Sequence, residues 1–197
     1  MKIFNFHLMP YAAVDLDAIK RHGSAWVTFS NRHYDPDKGA ELYHDYLDQM
    51  EFADQLGFDG VVLNEHHQTA YGMMPIPGVL AGALARGVKH AKIAILGRAL
   101  PLTNNPLNIA EEYAMLDNLT RGRIIAGFVR GIGSEYHSSG VNPYFSHERF
   151  HEAHDLIIKA MSTHDGPFNW EGEFFQYRSV NIWPKPIQKP TPPIWMR

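Results

Sequence analysis

Glu65, His66 and His67 follow directly on the apolar run Val61-Val62-Leu63, so three titratable side chains stand where a buried strand would stop. Such groups at a strand end are poor packing material and a candidate site. An imidazole titrates near neutral pH, and one facing a cavity with a carboxylate close by can give or take a proton. Neighbouring residues of an extended chain point to opposite sides, so one histidine can face the cavity while the other packs or caps. The same geometry argues against a shared metal ion. No His-x-His pair stands on a strand and the chain has no cysteine, so no metal centre and no thiol chemistry are expected.

Two further runs end in the same way. Lys92 to Leu100 is apolar until Gly97 and Arg98 interrupt it, which reads either as a close approach of backbone to a flat ligand, with Arg98 as a charge beside it, or as a bulge. Arg123 to Val129 ends in Arg130 and Gly131, and the segment RGIGSEY, closing on Tyr136, could cradle a phosphate or form a turn with a solvated arginine. Its glycines do not follow the dinucleotide pattern. At the start of the chain KIFNFHL alternates with period two. If Phe4, Phe6 and Leu8 face covering helices, Asn5 and His7 point into whatever lies opposite and join the candidate site.

The elements that must position these groups alternate. Strands are expected near residues 2–8, 60–64, 92–100, 123–129 and 193–196. Helices are expected over about 39–56, from Val79 to about Gly87, over 106–120 and from Ser146 until the pattern fades at His164. Gly57 sits where a C-terminal cap belongs, and Asn105-Pro106 is a helix start. A hairpin excursion is expected over 167–183, turning at Glu171 and Gly172. Residues 9–38 show no period and read as a long active-site loop carrying Trp26, Phe29 and Tyr34. Asp117 and Arg123 read as a structural pair or as caps. Alternation of strands and helices implies an α/β fold with parallel strands and helical crossovers. In both architectures of that kind, the doubly wound sheet and the (β/α)₈ barrel, ligands bind at the C-terminal strand ends, where His66, His67, Arg98 and Arg130 all fall.

The 197 residues are 45% hydrophobic and 20% charged with a net charge of −3, and no run of like charge offers a footprint for nucleic acid. No apolar stretch reaches the roughly 18 residues of a membrane span. The apolar start is too short for a signal peptide and lacks a cleavage site, so a cytoplasmic location is expected.

The chain resembles the bacterial luciferase-like, flavin-dependent monooxygenases. The resemblance rests on MKIFNF, GFDGVVLNEHHQ, the block LPLTNNPLNIAEEYAMLDNLTRGRIIAGFVRG and the closing KPTPPIWM, which cover most of residues 1–197 in the family's order. It implies a (β/α)₈ TIM barrel, here a single domain over 1–197 that stops after about five strands. It implies reduced FMN, supplied by a separate flavin reductase, and O₂ as co-substrate for oxygenating a small, apolar organic molecule. His66 matches the family's catalytic histidine, and Arg130 with Gly131 the flavin-phosphate segment. Gly97, Arg98 and Ala99 match the backbone under the flavin ring. Asn5, His7, Glu65, His67 and Tyr136 are then substrate-facing or supporting residues. Asn108 departs from relatives that carry arginine there. A homodimer through helices 78–88 and 106–120 is also implied. The alternatives are a deazaflavin-dependent hydride-transfer enzyme of the same superfamily and a non-catalytic flavin-binding protein.

Overall fold

The computed structural model of the protein describes residues 1–196. Five parallel strands form one sheet in the order β1-β2-β3-β4-β7: β1 (Phe4–Phe6), β2 (Gly60–Leu63), β3 (Lys92–Ala99), β4 (Ile124–Val129) and β7 (Ile194–Met196). Each of the first three crossovers carries a helix, α2 (Pro36–Gln55), α3 (Pro77–Gly87) and α4 (Pro106–Thr120), and the last carries α5 (Gly133–Ser139), α6 (Ser146–Ser162) and the antiparallel hairpin β5 (Phe168–Glu171) and β6 (Gln176–Val180). Among the described residues β1 and β7 remain the two edges of the sheet.

Period-two alternation separates the two faces. Val61, Leu63, Ile93, Ile95, Ile124, Ala126 and Phe128 bury against the helices. Val62, Ala94 and Ile125 form a smaller cluster on the opposite face with Phe4, Leu96 and Trp195. Phe4 and Trp195 stand on the two edge strands, yet their rings meet at 5.1 Å. Four strand spacings would put the edges roughly 19 Å apart in a flat sheet, so this sheet is curled toward its helix-free face.

The curl reverses one expectation. Register places Phe4 and Phe6 beside Gly60 and Val62, and Asn5 beside Val61. The aromatic set of β1 therefore occupies the concave face, while Asn5 and His7 turn to the helices. His7 packs on Tyr46 at 4.6 Å between ring centres and pairs with Gln49 of α2 at 3.2 Å. On the concave face Phe4 meets the Trp195 ring across the curl, and Phe6 lines the space between the strand ends.

The segment 9–38 is also more ordered than its lack of period suggests. It contains a short helix, α1 (Leu16–Lys20), and its last three residues belong to α2, because the Asp35 carboxylate caps the amides of Asp37 and Lys38. A second short helix, α5, lies in the stretch after Arg130 that shows no apolar period. Asp117 and Arg123 do not pair. The Asp117 carboxylate accepts from the backbone and side-chain amides of Gln188 at 2.8 and 2.7 Å, and Arg123 donates to the carbonyl of Ala91 at 3.0 Å.

Candidate active site

At the C-terminal ends of β1 to β4 lies a cleft of about 850 Å³, within the usual size of a cofactor site. Phe6, Leu8, Leu96, Gly97 and Val129 give it apolar walls. Asn64, Glu65 and His66 enter from the end of β2, and Arg130, Gly131, Ile132 and Glu135 from the segment after β4.

His66 is the centre of the polar wall. Its Nδ1 lies 2.9 Å from Oε1 of Glu135, a buried carboxylate 69 positions along the chain. Oε2 of Glu135 accepts the backbone amide of Ile132 at 3.0 Å and so ties the carboxylate to the start of α5. Burial pushes the Glu135 carboxyl up, but the His66 hydrogen bond, the Ile132 amide and the nearby imidazoles outweigh it and hold the group below the ordinary carboxylate range. An ionised carboxylate only accepts, so Nδ1 of His66 carries the proton and Nε2 is left to exchange one. Trp26 and Tyr71 stand edge-on to the His66 ring at 5.5 and 5.1 Å and fix its plane.

His67 does not share this wall. Its Nε2 lies 3.1 Å from Oε1 of Glu65, and that bond, against burial, raises its pKa above the ordinary value. Glu65 is a hub. The same Oε1 accepts the Ala99 amide at 3.1 Å, tying the end of β2 to the end of β3, and Oε2 faces Nε of Arg98 at 3.0 Å. Arg98 thus turns away from the cleft. Register pairs it with Phe128, on the helix face, where it lies between Glu65 and Glu112 of α4, the latter at 3.5 Å. Burial raises the Glu112 carboxyl despite that cation. A buried guanidinium takes the carboxylates within reach, so it is Gly97 and Leu96, not the Arg98 side chain, that face the cleft.

Gly97 sits at a bulge, and the backbone it approaches closely is that of the neighbouring strand. The β3–β4 register shifts between Ile95 and Arg98, so a bulge is present. A Cβ on Gly97 would lie 2.8 Å from the Gly127 carbonyl carbon, so the two backbones meet closely there. Ala99 is buried outside the cleft. Arg130 is exposed at the rim, and Gly131 beside it has a φ of +85°. The Tyr136 hydroxyl donates to the Arg130 carbonyl, pinning this turn from beneath. Of the residues singled out from sequence, the cleft gathers Glu65, His66, Gly97, Arg130 and Gly131. Asn5, His7, His67, Arg98, Ala99 and Tyr136 stand behind its walls.

A second cavity of about 450 Å³ adjoins the first, with His66 in the wall of both. Tyr11, Phe29, Tyr34 and Tyr43 line it, so the 9–38 segment contributes most of its aromatic surface.

Residues 24–197 match the family model described as luciferase-like monooxygenase. The chain belongs to the luciferase-like monooxygenase family. Among its luciferase-like relatives, the oxygenase component of the flavin-dependent trigonelline monooxygenase of Acinetobacter baylyi is 29% identical over 159 residues, 79% of this chain and 43% of that protein. The crystal structure of monooxygenase RslO1 from Streptomyces bottropensis superposes with a TM-score of 0.79 at 28% identity, covering 100% of this chain and 53% of that one. An F420-dependent secondary alcohol dehydrogenase, at a TM-score of 0.69 and 22% identity over 78% of this chain and 48% of that one, shares the fold. The chain spans about half the length of the curated relatives it matches. Two site residues of this luciferase-like chain escaped sequence reasoning. Glu135 lies in a segment without period, where only its place three residues after Ile132, opening a short helix, marks it. Asn64 directly follows the apolar run of β2, and nothing in its local pattern marks it as a cleft residue.

Proposed function

We propose that the protein is the oxygenase of a two-component flavin-dependent monooxygenase, using reduced FMN from a separate reductase and O₂ to oxygenate a small, largely apolar organic molecule. The His66–Glu135 pair in the wall of an apolar cleft carries this reading. The cleft fits a flat heteroaromatic ring with an anionic tail: apolar walls, bare backbone at Gly97, and a guanidinium at the rim. Bound reduced FMN would supply the electrons and the atom at which O₂ is activated. The protein's part is to hold, dry and protonate. Arg130 would take the phosphate. Phe6, Leu8, Leu96 and Val129 would exclude water. His66, with Nδ1 committed to Glu135, would move a proton through Nε2 toward a substrate seated in the aromatic second cavity.

Fluorescence titration tests the cofactor. Arg130→Ala should weaken FMN binding roughly tenfold, the worth of one charge-assisted hydrogen bond, and leave riboflavin, which lacks the phosphate, unaffected. An unchanged FMN dissociation constant would sink the assignment. The fold shared with an F420-dependent enzyme supports a second reading, hydride transfer by a deazaflavin, and preference for that cofactor in the same titration would select it.

A second copy of the chain belongs to the same proposal. Val79 of α3 and Met115 and Leu119 of α4 are exposed beside Gly78 and Gly82, an apolar face with a shallow groove. Light scattering should give twice the chain mass; a monomer at micromolar concentration would remove this part.

A further inference from the structure

The side chain of Asn64 is buried, 5% exposed, in the floor of the cleft, and neither Oδ1 nor Nδ2 has a hydrogen-bond partner. A buried carboxamide left unpaired costs free energy, and exchanging its oxygen and nitrogen would leave both orphaned still. Asn5 also carries an unpaired buried oxygen, but it lies on the helix face and lines neither of the two cavities described above. Asn64 shares the concave face with Val62, two positions back, and stands between Leu8 of the β1 end and Leu96 of β3 in the cleft lining. Since both atoms are free, a lone carbonyl would satisfy only half of the group. The complement is an edge with an N–H donor beside a C=O acceptor, the edge of a cyclic imide. We propose that Asn64 reads the imide edge of the flavin ring, Oδ1 accepting from the ring N–H and Nδ2 donating to the adjacent carbonyl, and so fixes which way round the ring lies against His66. This rests on the reading of the cleft as a flavin site, and it holds equally for a deazaflavin, whose imide edge is the same.

Equilibrium titration of the protein with FMN and with N3-methyl FMN, in which the donor is replaced by a methyl group, tests it. The wild type should prefer FMN about tenfold or more, because a site built around a hydrogen bond rejects the analogue that lacks it. Asn64→Leu, close in volume, should bind FMN about tenfold more weakly and the two flavins alike. A role confined to folding would lower both affinities together and leave the preference, which would overturn the proposal. So would a wild type that binds both flavins equally, a result that needs no variant to fold. A wild type that binds neither flavin would overturn the flavin reading along with this one.

Discussion

Replacing His66 by alanine is expected to lower the rate of substrate oxygenation by ~10²–10⁴ while FMN binding survives, the loss a positioned proton-transfer group accounts for. The expectation comes from one contact. Nδ1 of His66 is 2.9 Å from a carboxylate that stays ionised, so the imidazole is held in one tautomer with Nε2 free. Glu135→Gln is the finer probe. It keeps the shape of the partner but removes the charge, and the amide can present its N–H to Nδ1 and force the opposite tautomer. Oxygenation should fall roughly 10²-fold, again with flavin bound. Product formed per reduced FMN consumed, under O₂, gives the measurement. Wild-type turnover in His66→Ala would end the proton-transfer role. Loss of flavin from that variant would instead make His66 part of the wall that holds the ring.

The largest effect on stability is expected away from the cleft, at Asp54. This buried carboxylate at the end of α2 accepts three consecutive backbone amides, of Lys89, His90 and Ala91, at 2.7, 3.0 and 2.5 Å, and so fixes the turn from α3 into β3. Asp54→Ala leaves those amides without an acceptor and should cost about 3 kcal/mol in denaturant unfolding. The contribution also depends on pH. Burial pushes the Asp54 carboxyl up, but the Lys89, Ala91 and His90 amides outweigh it and hold its pKa below the ordinary value. A depressed carboxylate stabilises the fold fully above its unfolded pKa, about 4, and loses that contribution as pH falls through the lower folded value. The stability difference between wild type and Asp54→Ala should therefore be constant near neutrality and shrink below about pH 4. A difference that persisted undiminished into acid would mean that the charge is not what holds the turn.

Asp54 and His66 illustrate the two kinds of information involved. The apolar face of α2, the cap at Asn105 and the strand runs that end at Glu65, Arg98 and Arg130 are local, because period and capping follow from backbone geometry within a few residues. Alternation of those elements already implied parallel strands with site groups at their C-terminal ends, and the five parallel strands observed follow that order. Which way each group turns is not local. β1 alternates cleanly, but a period of two does not say which face is which, and the curl of the sheet put its aromatics inside and sent Asn5 and His7 to α2. Arg98 was drawn between Glu65 and Glu112 because a buried cation takes the carboxylates the fold brings near it, and one of those comes from α4. His66 gained its carboxylate not from adjacent Glu65, which is taken by His67, Arg98 and the Ala99 amide, but from Glu135 across the strand ends. The sequence alone determined that a titratable site would sit at the ends of these strands. Only the tertiary structure decided which carboxylate holds His66 and that Asn64 stays unpaired beside it, since both depend on packing between segments that no local pattern relates.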